Sequence, residues 1–234
     1  MPHRTPVAAL VISACLLVCV RARAQSSDGL NDERILGVIP NYQTVSDPAR
    51  PAPPLTKKQK WLLFFKESRD PFNVASAALG AGFSQKGDQT PKYGEGGEAY
   101  GERFGAALAD LTTQNFFSSA VLSCLLHQDP RYFRKGPAAG ILARTAYSLS
   151  RLVVARQDSG RETFNASGIF GMVLGIAASN LYYPPASIRG AVMAGRLSTS
   201  LTSGVIGNLS AEFWPDIQKR FFHHRHAKQP TPGP

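Results

Sequence analysis

The sequence predicts an all-α protein, a single helical bundle of about six helices behind a flexible N-terminal leader. Two observations favour this fold class. Capping residues and prolines delimit long segments with helical spacing of apolar side chains, and no segment alternates apolar and polar residues as a half-buried strand does. The 234 residues suffice for one domain with a sizeable core.

The first 24 residues have the three parts of a secretory signal peptide. Arg4 precedes the apolar run 7–20, and Ala22 and Ala24 form a small-x-small cleavage site. The apolar run is shorter than the ~20 residues that a membrane-spanning helix needs, so cleavage is favoured over a retained anchor. We therefore expect an exported protein.

Both ends of the mature chain are predicted to lie outside the helical domain. Residues 25–55 are rich in proline and poor in large apolar side chains, which is typical of a flexible, extended leader. Residues 223–234 form a polar tail that we expect to be disordered. The three histidines of this tail lack the spacing of a closed coordination site, so the sequence predicts no metal site and no cofactor.

The helical domain is predicted to cover residues 56–222. Thr56 starts the first helix, because Gln59 three residues later completes a capping-box pattern. Asp70 caps the second helix, since Pro71 then occupies the first helical position.

Loops rich in glycine or proline separate four further predicted helices. The polar loop 84–97 precedes the longest helix, Pro137 suits a helix start, and Pro184 ends the fifth helix. These helices are predicted over residues 98–126, 137–156, 164–182 and 187–208. A short amphipathic segment over 215–222 ends the domain.

Small residues recur at helical spacing along one face of the fifth predicted helix. They are Gly168, Gly171, Gly175 and Ala178. Such a face lets two helix backbones approach closely, in lipid as well as in water. The surrounding run 163–188 has no formal charge, which leaves an integral membrane bundle as an alternative, but its apolar centre, 169–181, has the length of a buried core helix.

Positive charge is concentrated between Arg131 and Arg161, the basic window. Seven basic residues and one acidic residue lie in it, and the whole chain has a formal net charge of +10. If the basic groups share a helix face, they attract anionic lipid or a cell-envelope polymer, whereas nucleic acid is not an expected partner of an exported protein. The candidate ligand-binding residues are Arg131, Arg134, Arg144, Tyr147 and Arg151. The alternative is a solvated face partly paired with the acidic residues between Glu95 and Asp110.

His127 and Asp129 are the candidate catalytic residues. A histidine and a nearby carboxylate can act as general base and orienting group, and neighbouring arginines can hold an anionic substrate. Residues two apart in a loop seldom point at one reacting atom, however. A structural loop, in which Asp129 caps the turn while Tyr132 and Phe133 pack inward, is therefore the favoured interpretation.

Four segments together resemble a family of exported bacterial proteins of unknown function. They are LLHQDPRYF at 125–133, DSG at 158–160, FNAS at 164–167 and NLYYP at 180–184. The resemblance covers about residues 57–220. It implies a location in the periplasm or cell envelope of a bacterium and assigns no catalytic residue.

The sequence thus predicts a non-catalytic cell-envelope protein that binds an anionic partner through a basic helical surface, a function compatible with peripheral membrane contact. One alternative is an envelope hydrolase or transferase that uses His127 and Asp129 on a phosphorylated or lipid-like substrate. The integral membrane bundle is the other.

Overall fold

The computed structural model describes residues 34–35, 39–47 and 52–222, and this part of the chain is mostly helical. The predicted signal peptide, 1–24, and the predicted tail, 223–234, lie outside it. Its main helices are α1 Lys57–Ser68, α2 Pro71–Gln85, α3 Gly97–Asn115, α4 Ile141–Ser150, α5 Ala166–Ser179 and α6 Gly190–Phe222.

Local capping confirms the predicted starts of the first two helices. The Thr56 amide donates to Gln59 Oε1 at 2.9 Å, and the Gln59 amide donates to Thr56 Oγ1 at 3.3 Å, which completes the capping box. Asp70 Oδ1 accepts from the Phe72 amide at 2.9 Å at the start of α2.

Three of the later helices differ from the prediction, and the first two are α3 and α6. α3 continues as a π-helix, Phe116–Leu122, and ends with a single turn, Ser123–Leu125. π-Helical segments are rare in proteins, and those that occur are often found at functional sites. α6 runs unbroken through Pro215, whereas the predicted helix ends at residue 208.

The described part of the chain also contains seven short strands, so the fold is mostly helical rather than all-α. They are β1 Arg34–Ile35, β2 Ile39–Pro40, β3 Thr44–Val45, β4 Gln128–Asp129, β5 Tyr132–Phe133, β6 Val154–Gln157 and β7 Glu162–Phe164. β1 pairs antiparallel with β2, and β3 pairs parallel with β5. β6 lies between β4 and β7 in an antiparallel sheet.

The hairpin of β6 and β7 replaces the end of the helix predicted over 137–156. α4 stops at Ser150, and Val154 then pairs with Phe164 across the hairpin. Gly160 has a φ of +86° in the turn, a conformation that glycine adopts without strain. The pairing of β6 with β7 thus determines the backbone structure here, although the basic residues are spaced as on a helix.

Part of the predicted leader is packed against the helical domain. The amide of Tyr132 donates to the Gln43 carbonyl at 2.8 Å, where β3 runs beside β5. Tyr42 forms a buried apolar cluster with Leu55, which precedes α1, and with Leu63 of α1. Proline-rich chain favours extended backbone, and an extended segment can pair with an available strand edge.

The small-residue face of α5 lies where that helix crosses α3 and the π-helix, as its spacing predicts. A Cβ atom added at Gly171 would lie 2.7 Å from Ser118 Cα, and one added at Gly175 would lie 3.1 Å from Gln114 Cα. Both distances are shorter than ordinary van der Waals contacts, so the crossing depends on glycine. Among the described residues, no helix has the length and apolar character needed to cross a bilayer.

Candidate anion-binding site

Two of the five candidate ligand-binding residues are buried against α6. Arg134 and Arg144 are each 5% exposed. Arg144 Nε donates to Glu212 Oε1 at 2.8 Å, and Arg134 Nη2 donates to Asp216 Oδ2 at 2.8 Å. Burial by itself raises the pKa of Asp216, but hydrogen bonds and charge from the two guanidinium groups bring it below its ordinary value. These arginines therefore hold the C-terminal half of α6 and are not free to bind a ligand.

Glu212 is the centre of this buried network. Its side chain is fully buried and accepts hydrogen bonds from Tyr132 Oη and from the backbone amides of Lys135 and Gly136, each at 3.0 Å, in addition to that of Arg144. Every carboxylate oxygen thus has at least two donors, which offsets the cost of burying the charge. Nothing in the sequence near the basic window points to Glu212, and the acidic partners were expected between residues 95 and 110.

Tyr147 also has a structural role. Its hydroxyl donates to the Phe133 carbonyl at 2.8 Å, and its ring lies under the guanidinium of Arg151, with 4.8 Å from Cζ to the ring centroid. The five candidate residues therefore do not form one exposed helical surface.

The structure does not bring the candidate catalytic residues together. The Arg131 side chain pairs with both oxygens of Asp129, with Nε 2.9 Å from Oδ1 and Nη2 2.6 Å from Oδ2. His127 is exposed, and its Nδ1 lies 3.8 Å from Oδ2 of Asp158 instead. Its φ of +52° lies in the left-handed region, between the helical turn Ser123–Leu125 and β4.

Asp129 instead caps the turn, as the structural interpretation of this loop predicts. Asp129 Oδ1 accepts from the Arg131 amide at 3.0 Å, and Tyr132 is buried. Both observations agree with the structural loop, although Phe133 is only half-buried.

A polar cavity of about 170 Å³ lies between the π-helix, the loop from β4 to β5, strand β6 and the start of α5. Three guanidinium groups line it, those of Arg131, Arg151 and Arg156. Hydroxyl and amide groups complete the wall, among them Ser118 of the π-helix and Asn208 of α6. The cavity therefore combines charged and neutral hydrogen-bond donors.

The three arginines differ in how they are compensated. Asp129 neutralises Arg131, and Glu162 accepts from Arg151 Nη2 at 2.7 Å. Arg156 lies over the Phe133 ring, with 4.5 Å from Cζ to the centroid. Asp129 and Glu162 are its cross-strand neighbours, but each of them pairs with another arginine, and Arg156 has no ion pair among the described residues. One positive charge of the cavity is thus without a direct ion-pair partner in the described part of the chain.

Arg151 contributes a second unsatisfied group. Its side chain is 9% exposed, and its Nε is buried without a hydrogen-bond partner among the described residues. Buried donors normally have a partner, so Arg151 adds an unsatisfied N–H group beside the cavity.

Arg131 and Arg151 were among the candidates chosen from the sequence. Arg156 lies in the same basic window but was not chosen. The adjacent β-branched residues Val153 and Val154 were the local sign of a strand. In a strand, the side chain of Arg156 points in a different direction from the one that it would have in a helix.

Glu67 is a buried carboxyl group close to the cavity wall. Gln43 donates to its Oε1, whereas its Oε2 has no partner in the described structure. Burial raises the pKa of Glu67 to about 7, although hydrogen bonds from Gln43 and Ser119 act in the opposite direction. The folded protein therefore keeps a proton on Glu67 in a pH range where the unfolded chain loses it.

We expect the folded state to lose stability as pH rises from about 4.5 to about 7, because only the unfolded chain ionises Glu67 freely in this range. A Glu67→Gln variant cannot ionise, so at pH 8 it should be more stable than the wild type by about 1–3 kcal/mol, with a smaller difference at pH 4. Urea unfolding followed by circular dichroism measures both values. Glu98→Gln, at an exposed site, is the control. Identical pH dependence of E67Q and the wild type would contradict the expectation.

Comparison of the chain with protein-family models, with curated proteins and with solved structures gives no match. The resemblance to exported bacterial proteins stays a prediction from the sequence.

Proposed function

We propose that the protein is an exported, non-catalytic cell-envelope protein that binds an anionic group of a lipid or an envelope polymer in the cavity of Arg131, Arg151 and Arg156. The observation that carries this proposal is the uncompensated positive charge at the cavity, where Arg156 has no carboxylate partner among the described residues. Guanidinium groups bind phosphate and carboxylate oxygens through paired N–H donors, which favours an anionic ligand.

The volume of the cavity limits the size of the bound group. About 170 Å³ is less than the roughly 300–1,000 Å³ of typical small-molecule sites. A single compact anion such as a phosphate group suits this space, whereas a whole lipid or polymer repeat does not. We therefore propose that the head group or terminal group enters the cavity while the rest of the partner stays outside.

The cavity favours binding over hydrolysis or group transfer. A hydrolase needs a general base beside the bound group, and His127 is not part of the cavity wall. Asp129 lines the cavity but is paired with Arg131. Burial raises the pKa of Tyr132, so its hydroxyl stays protonated at neutral pH.

We expect the affinity for inorganic phosphate to fall at least tenfold in an Arg156→Gln variant, because a hydrogen bond to a charged group contributes about 1.5–3 kcal/mol. Isothermal titration of the purified protein in a phosphate-free buffer measures this affinity. Arg161→Gln is the matched control, since it removes the same charge from an exposed position of the same hairpin. Its affinity should stay within about twofold of the wild type.

Vesicles separate the two sources of the anion. Phosphatidylglycerol vesicles should bind more tightly than phosphatidylcholine vesicles if the ligand is a lipid head group, and the preference should be lost in R156Q. Binding of free phosphate without any vesicle preference would assign the site to a polymer or a soluble anion. Equal affinities of R156Q and R161Q for phosphate, with both variants folded, would contradict the cavity as the binding site.

A further inference from the structure

A second, larger cavity of about 590 Å³ lies between α3, α5 and α6, away from the basic window. Its volume is within the range of about 300–1,000 Å³ that is typical of small-molecule sites. Its wall combines the ion pair of Asp110 and Arg196 with the ring of Tyr183 and with hydroxyl groups that include Thr199 and Ser200. Neither the predicted nor the proposed function uses these residues.

Asp110 and Arg196 are held rigidly at the cavity. Tyr182 Oη donates to Asp110 Oδ1 at 2.7 Å, and Tyr183 Oη donates to Asp110 Oδ2 at 2.6 Å. Arg196 Nη2 lies 3.3 Å from Asp110 Oδ1, and the guanidinium carbon lies 4.0 Å from the centroid of the Tyr183 ring. Burial and the charge of Asp110 raise the pKa of both phenols, so both remain donors at neutral pH.

This arrangement leaves both a donor and an acceptor unused. Nη1 of Arg196 is buried without a hydrogen-bond partner among the described residues. Oδ2 of Asp110 accepts one hydrogen bond in the described structure and has capacity for another. The two groups belong to side chains that are in direct contact and that both line the cavity.

The charge of the pair defines the class of ligand. Asp110 and Arg196 neutralise each other, and a second anion would be repelled by the carboxylate. Two adjacent hydroxyl groups match the unused pair, because one hydroxyl can donate to Asp110 while the other accepts from Arg196. The remaining wall offers further hydroxyl and amide groups for a molecule with many hydroxyls, and Ile176 and Val192 offer apolar contact for its carbon skeleton.

We propose that this cavity binds a neutral saccharide through two adjacent hydroxyl groups, with Asp110 as acceptor and Arg196 as donor. The site is separate from the anion-binding cavity, so the protein can hold a neutral sugar and an anionic group at the same time. This inference does not depend on the proposed anion binding.

Gly195 provides a test that spares the ion pair. It lies in α6 at the cavity wall, and nothing lies within 4 Å of a Cβ atom added there. A Gly195→Leu variant should therefore fold and occupy part of the cavity, since replacing a helical glycine does not weaken the helix. Gly207→Leu is the matched control, because Gly207 is in the same helix, has the same free space around an added Cβ and does not line the cavity.

The probes are methyl glucoside, methyl mannoside, methyl galactoside and N-acetylglucosamine, with binding measured by saturation-transfer NMR on the purified protein. We expect at least one of them to bind, with at least tenfold lower affinity in G195L and affinity within twofold of the wild type in G207L. The deoxy analogue that lacks one of the two hydroxyls should bind at least tenfold more weakly.

R156Q should bind the saccharide as the wild type does, which distinguishes failure of this site from failure of the anion site. No binding of any probe at tens of millimolar, or equal binding by G195L and G207L while both remain folded, would overturn the proposal.

Discussion

Replacing Arg144 by methionine will lower the free energy of unfolding by about 3–5 kcal/mol, because it leaves the fully buried carboxylate of Glu212 without its guanidinium partner. The hydrogen bonds from Tyr132 and from the backbone amides of Lys135 and Gly136 would remain, but they do not supply a countercharge. Chemical unfolding followed by circular dichroism measures the loss.

Two further variants show whether the loss comes from the buried charge. Arg189→Met removes an arginine from an exposed position next to α6 and should change stability by less than about 0.5 kcal/mol. Combining Arg144→Met with Glu212→Gln removes both charges and should recover part of the loss. A loss below about 1 kcal/mol in R144M would contradict the buried network described above.

Replacing Asp158 by asparagine will destabilise the protein by about 2–4 kcal/mol, because it removes the countercharge of a buried lysine. The Lys60 side chain is 1% exposed, and its Nζ lies 2.8 Å from each carboxylate oxygen of Asp158 and 3.1 Å from the Ser123 carbonyl. An ammonium group at this position cannot recover its hydration after the substitution.

Replacing the other member of this ion pair, Lys60, should destabilise the protein less. In a Lys60→Met variant, the Asp158 carboxylate is left without its partner, but its side chain is 25% exposed and can be hydrated. Methionine also fills most of the volume of the lysine stem. We expect D158N to unfold at a lower urea concentration than K60M, and the opposite order would contradict the burial of the ammonium group.

The features that could be predicted from the sequence depend on residues close together in the chain. Thr56 and Gln59 are three residues apart, and their capping box starts α1 as the spacing indicates. The glycines of α5 predicted a tight helix crossing because helical periodicity alone places them on one face.

The strands could not be predicted because they depend on distant partners. β3 and β5 each contain two residues, too few for a recognisable alternation, and they pair across more than 80 positions of the chain. β6 was predicted as the end of a helix, since nothing local shows that Val154 pairs with Phe164. The change from α- to π-helical bonding within the helix from Gly97 has no sequence signal that we can identify.

The sequence predicted only part of the candidate site, because the rest also depends on distant partners. The composition of the basic window indicated an excess of arginine, and Arg131 and Arg151 do line the polar cavity. Whether an arginine is free depends on its carboxylate partner, and the partner of Arg144 is 68 positions away at Glu212. One sequence cannot show such a pairing, so the arginines of the buried network could not be told apart from Arg156, which has no ion pair within the described ranges.

A single side chain, that of Arg134, joins the first and the last parts of the described chain. Its Nη1 donates to the Ser46 carbonyl at 3.2 Å, and its Nε donates to the Glu212 carbonyl at 3.0 Å, partners that are 88 and 78 positions away. Contacts of such high sequence separation form late and slow the folding of a domain. We therefore expect the backbone amides of β5 and of the C-terminal half of α6 to exchange with solvent as one cooperative unit.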